Sequence, residues 1–109
     1  MIVVTTDTIP GKKIVKALGV VKGKTIRARH IGKDILAGLK NLIGGEIEEY
    51  TKMMAESREQ SFDRMVEDAQ SLGADAIINV RFMTASMMQS AAELLAYGTA
   101  VKIEDDTAS

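Results

Sequence analysis

An α+β domain, with long helices covering one side of an antiparallel or mixed sheet, is what the apolar pattern of this chain calls for. Extended, β-branched stretches lie near both ends, and the middle of the chain carries apolar residues at three- and four-residue steps. At 109 residues, 46% hydrophobic and 27% charged, the chain has enough material for one packed core and too little for two. The predicted order is β-β-α-α-β-β. Residues 1–104 form the domain, and 105–109 form a polar C-terminal tail.

The first element is Ile2-Val3-Val4-Thr5-Thr6, β-branched throughout and halted by Pro10-Gly11. From Lys13 a second strand runs with apolar residues of both parities (Ile14, Leu18 and Val20; Val15, Ala17 and Val21), which predicts cover on most of both faces. Gly23 between two lysines is read as a turn or bulge, with a brief extended piece from Thr25 to Arg29 beyond it. Ile35, Leu36, Leu39, Leu42 and Ile43 fall at helical spacing and stop at Gly44-Gly45.

A long helix follows. Residues Glu46 to Leu72 contain neither Pro nor Gly, and Ile47, Tyr50, Met54, Met65, Ala69 and Leu72 form its expected buried stripe. Acids crowd its first turn and Gly73 closes it. At 1.5 Å per residue it spans about 40 Å, against roughly 34 Å for the width of a compact domain of this length. Part of it is therefore expected to pack on another subunit. Ala76, Ile78, Val80 and Phe82 then alternate with a more mixed set as a third strand, Thr84 to Ser90 is a loop or a hairpin continuation, and Ala92 to Ile103 is the last strand. Gly98 marks a bulge or a close backbone approach.

The net charge of -1 conceals an asymmetry. Residues 1–45 carry nine basic side chains against Asp7 and Asp34, whereas residues 46–70 carry eight acids against Lys52, Arg58 and Arg64. Basic strands answering an acidic helix, in the same or a neighbouring subunit, account for this. A nucleic-acid surface is the less favoured alternative, because the basic third lacks the aromatic residues on which bases stack. No stretch is long and apolar enough to span a membrane, and no secretion signal is visible, so a cytoplasmic location is expected.

The ordered motifs Val4-Thr5-Thr6 with Pro10-Gly11, Gly45 to Thr51, Arg58, Arg64-Met65, Leu72 to Ile77, Asn79 to Phe82 and Ala96 to Val101 resemble the YbjQ-like family. These are small bacterial and archaeal proteins without an assigned function, sometimes labelled heavy-metal-binding. The resemblance covers nearly the whole chain. It implies a dodecin-like α+β fold and a ring-shaped homo-oligomer, commonly a pentamer.

The side chains must supply any metal site themselves. With no Cys and only His30, the thiolate and multi-imidazole sites typical of soft metals are missing from one subunit, and no cofactor is identified. Seven Met residues, including the pairs Met53-Met54 and Met87-Met88, are read first as adaptable packing. Glu59, Asp63 and Glu67, with Glu56 nearby, align along one side of the long helix as a solvated face or a weak hard-metal row. The candidate ligand-binding residues are Arg58, Arg64 and Arg81, which could line an inter-subunit pocket for a small anion. The structural alternative has Arg81 paired with Glu67 or Asp68. No nucleophile elbow, phosphate loop or zincin pattern is present, so a non-enzymatic protein is expected.

Overall fold

The computed structural model describes residues 1–28, 45–88 and 91–106. Its elements are β1 (Ile2–Val3), β2 (Lys12–Ala28), α1 (Gly45–Ser71), β3 (Ala76–Met88) and β4 (Ala91–Asp105). The helix expected from Gly32 to Gly45 lies outside the described residues, as does His30. The strands form one mixed sheet in the order β1-β3-β4-β2. β1 lies parallel to β3, and β4 pairs antiparallel with β3 on one side and β2 on the other.

β1 is shorter than its β-branched sequence suggests, yet the backbone keeps tracking β3. Val4 donates to Ile77 (2.9 Å), Val80 to Val4 (3.1 Å) and Asn79 to Thr6 (3.0 Å). The regular ladder stops because β3 bulges there. The β3–β4 register slips between Ile78 and Arg81, opposite Gly98, and Asn79 takes φ 53°. Asparagine tolerates that left-handed conformation better than most side chains. A Cβ at Gly98 would stand 2.7 Å from Ile77 Cγ2 and 2.9 Å from the Ile78 carbonyl oxygen, so this glycine is both a bulge partner and a close approach.

Gly23 corrects the expectation of a turn or bulge. β2 runs unbroken from Lys12 to Ala28, and its irregularities fall earlier, between Ile14 and Lys16 and between Ala17 and Gly19. Gly23 is buried under α1. A Cβ there would overlap the Ser61 carbonyl oxygen and the Met65 amide nitrogen, both backbone atoms, and stand 2.7 Å from Arg64 Cβ. The missing side chain lets helix and strand backbones touch.

Helix α1 buries Ser57, Ser61, Met65 and Ala69 at successive four-residue steps. Two of these are small and polar because the contact at Gly23 leaves no room for larger side chains. Leu72, expected in the stripe, lies beyond the helix and is 47% exposed. Gly73, at φ 75°, ends the helix as predicted. Ala74 donates to Ala69 (3.1 Å) and Gly73 to Gln70 (3.0 Å), the paired bonds of a Schellman motif.

The core has two parts. Met65 and Ala69 pack on Val21, Ile77, Val80, Ala96 and Ala100 on the helix side of the sheet. Residues of opposite parity, Ala76, Ile78 and Val101, pack with Ile9, Ile2, Val4, Ile14 and Ile103 on the other side, where the N-terminal segment covers one end of the sheet. Among the described residues, nothing packs on the rest of that face. Val20 is 73% and Ile26 51% exposed, against the expectation that β2 is covered on both sides. The molecule measures 60 × 23 × 16 Å, with a radius of gyration of 17.9 Å. A compact chain of this length has a radius of about 13 Å.

Candidate functional site

The three candidate arginines lie in three different settings. Arg64 donates from Nη1 to the Lys24 carbonyl oxygen (2.7 Å), and one helical turn on, Asp68 accepts from the Lys22 amide (3.1 Å). Among the described residues, β2 has no strand partner on that side. These two side chains therefore occupy backbone groups that a further strand would use, a latch on the sheet edge. Arg58 lines a shallow hollow of about 360 Å³ with Ala55, Glu59, Phe62 and Phe82. The two phenyl rings there lie 6.5 Å apart and 15° from parallel. Arg81 donates from Nη1 to Thr5 O (2.8 Å) and to Val80 O (2.9 Å).

The expected ion pair from Arg81 to Glu67 or Asp68 is not formed. Arg81 belongs to the parity of β3 that faces away from α1, whereas Phe82 beside it reaches the helix at Phe62. Arg81 ties the N-terminal segment to β3, and Asp68 serves the edge of β2 instead.

The open face of the sheet gathers more than the sequence disclosed. Lys22 stands opposite Tyr97, and Tyr97 stands opposite Arg81 from the other side. The next row along is Lys24, Leu95 and Met83, and the one after it Ile26, Glu93 and Ala85. Lys22, Lys24 and Arg81 are exposed and Tyr97 is half-buried between them. Among the described residues, none of these three cations has a carboxylate within ion-pair distance. A sequence reading links Lys22 to Arg81 only once the pairing of three distant strands is known.

Ion pairs gather instead at the far end, joining Lys12 to Asp105, Lys13 to Glu104 (3.9 Å) and Lys102 to Asp75 (3.1 Å). Asp75 also accepts the Ile103 amide (3.0 Å), while Lys102 Nζ reaches Gly73 O at the end of the helix (3.1 Å). The Ile103 amide first, and then the Lys102 ammonium, hold the Asp75 carboxyl below its ordinary pKa. Lys12 does the same for Asp105. The run Gly73-Ala74-Asp75-Ala76 is thus a clasp that fastens the helix end to β4.

A model of the family described as "Putative heavy-metal-binding" matches residues 1–104. The chain belongs to the YbjQ family. Within it, the chain is 61% identical over 103 residues to a UPF0145 protein of Methanosarcina acetivorans, covering 94% of this chain and 97% of that one. It is 57% identical to a UPF0145 protein of Archaeoglobus fulgidus, over 94% of this chain and 95% of the relative. A crystal structure from Pediococcus pentosaceus, described as a protein of unknown function in the DUF74 family, aligns with TM-score 0.65 at 18% identity. That alignment covers 95% of this chain and 98% of the other, and it supports the fold alone.

The YbjQ-family description names a heavy metal, and the donors among the described residues do not fit one. No Cys exists to supply thiolate. Among the described residues, no three His, Cys, Asp or Glu side chains converge. Met65 is fully buried in an apolar cluster, and Glu56, Glu59, Asp63 and Glu67 point outward along α1. Among the described residues, no helix is long and apolar enough to cross a membrane.

Proposed function

We propose that this chain is a cytoplasmic, non-enzymatic protein that works as a homo-oligomer, a pentameric ring of the kind the family resemblance implies. One observation carries this reading. The sheet face turned away from α1 exposes Val20 (73%), Ile26 (51%) and Met83 (53%) across its outer strands, with Leu95 half-buried between them. Met83 stands opposite Leu95, Ile26 lies one row further on and Val20 two rows back, so the apolar residues recur along one face of the sheet rather than singly, which marks a surface meant for cover.

Among the described residues, no second layer lies over it. The N-terminal segment reaches only the end of the sheet at Ala76, Ile78 and Val101, and the long, thin shape leaves the middle uncovered. Another copy supplies the missing layer. Such contacts between unlike surfaces close into rings when the rotation permits. Light scattering at micromolar concentration tests the reading. A mass several times 11.8 kDa is expected, and a monomer overturns it.

A further inference from the structure

We propose that the row Lys22, Tyr97 and Arg81 on the open sheet face is a binding site for a small oxyanion of the phosphate class. The site lies within the face assigned above to self-association, so it deepens that reading and rests on it for its enclosure. Neighbouring strands lie about 4.8 Å apart. Lys22 and Arg81 therefore flank Tyr97 at about 10 Å between their backbones; Arg81 is anchored through Nη1 at Thr5 O on the far side of β3, and Lys22 is long enough to lean over the tyrosine toward a ligand on the remaining guanidinium edge.

The donors differ in kind and complement one another. Arg81 is held in place by Thr5 O and Val80 O through Nη1 alone. Among the described residues, its Nε and Nη2 have no acceptor, which leaves one edge of the guanidinium free. Carbonyl partners orient it without neutralising it, and a fork of free donors on a fixed cation is suited to a tetrahedral oxyanion. Lys22 contributes a mobile ammonium, Tyr97 a hydroxyl donor, and Lys24 a second ammonium one row on.

Once covered, this face calls for a counter-charge, from a bound anion or from the acidic helix of a neighbouring copy, and the phosphate dependence below separates the two. Covering this face with a second copy takes three cations out of water, and burial of charge without a partner is strongly unfavourable. Glu93, on the same face of β4, stands opposite Ile26 and Ala85, two rows beyond Tyr97. A dianion seated between Lys22 and Arg81 supplies the ion pair that these cations lack among the described residues. Arg58 and Arg64 stand apart from it, the first in the hollow beside Phe62 and the second on the sheet edge.

Thermal unfolding and light scattering on the full chain, with and without inorganic phosphate at constant ionic strength, test the site. A saturable rise in Tm with phosphate, absent with chloride, is expected. Arg81→Gln and Lys22→Ala each weaken the apparent affinity about tenfold or more, as expected for loss of a charge-assisted hydrogen bond, whereas Arg58→Gln leaves it unchanged. Circular dichroism confirms that each variant is folded. Phenyl phosphate, run in parallel, separates the sources: tighter binding than inorganic phosphate assigns a phosphate ester, and weaker binding assigns the free ion. An oligomer whose Tm ignores phosphate overturns the site and leaves the assembly standing. A monomer that still binds phosphate through Lys22 and Arg81 overturns the assembly and leaves the site standing. Equal loss of affinity in Arg58→Gln reduces the effect to general surface charge and overturns the site.

Discussion

The two faces of β2 are built on opposite rules. Toward α1 it presents Val21, Gly23 and Thr25, all buried, with Thr25 Oγ1 donating to Ser57 O (3.2 Å) beneath the helix. Toward the other side it presents Val20, Lys22, Lys24 and Ile26, all exposed. The helix face is set by backbone contact and tolerates no added atom. The open face is set by chemistry, apolar surface interleaved with unneutralised cations, and is free to vary in shape. The contrast separates a surface that makes the fold from a surface that uses it.

Substitutions on the tight face should break the contrast most severely. Gly23→Ala places a methyl group against two backbone atoms of α1, so loss of about 4 kcal/mol or failure to fold is expected in urea melts. Met65→Ala empties the centre of the helix-side cluster, and a loss of about 2–5 kcal/mol is expected from the same measurement. Gly98→Ala meets a flexible Ile77 side chain as well as a carbonyl oxygen. Its expected cost is smaller, about 1–3 kcal/mol.

The open face should respond in mass rather than in fold. The paired change Val20→Ser and Ile26→Ser is expected to leave the secondary structure unaltered by circular dichroism while lowering the mass seen in light scattering. Unchanged mass would locate the assembly surface elsewhere. The smallest effect belongs to the Asp75 clasp. Its carboxyl is held below the ordinary pKa, so its contribution is fully present above the unfolded value and is lost as pH falls through the lower folded value. Asp75→Asn should therefore reduce Tm at pH 7 and flatten the acid side of the Tm profile. An unchanged acid limb would show that Asp75 takes no part in it.

Local signals survived into the structure where neighbours along the chain decide the outcome. The helix from Glu46 and the stop at Gly73 depend on propensity and period, which a single segment carries within itself. The single apolar face expected of Ala76, Ile78, Val80 and Phe82 is instead split by the bulge at Asn79, which leaves Ala76 and Ile78 on the open side and turns Val80 and Phe82 toward the helix. Gly23 was misread for the same reason. A glycine between lysines is a turn signal locally, and only the helix arriving from more than thirty residues away makes it a packing requirement. Leu72 kept the right period but fell past the helix end, where the Schellman bonds turn the chain out of register with the stripe.

The candidate site shows the same division more sharply. Arg81 was legible as a charged residue on the mixed parity of its strand, yet its neighbours were not. Lys22 and Tyr97 join it across β2 and β4 through pairings separated by tens of residues. From the sequence alone come the α+β composition, the helix and its stop, the lack of thiolate ligands and the segregation of charge. The tertiary structure decided which parity of each strand the helix covers, where Asp68 and Arg64 are spent, and which cations share a face. The physical reason is that strand pairing and helix docking are set by backbone hydrogen bonds and steric fit between distant segments, and no window of sequence contains both partners.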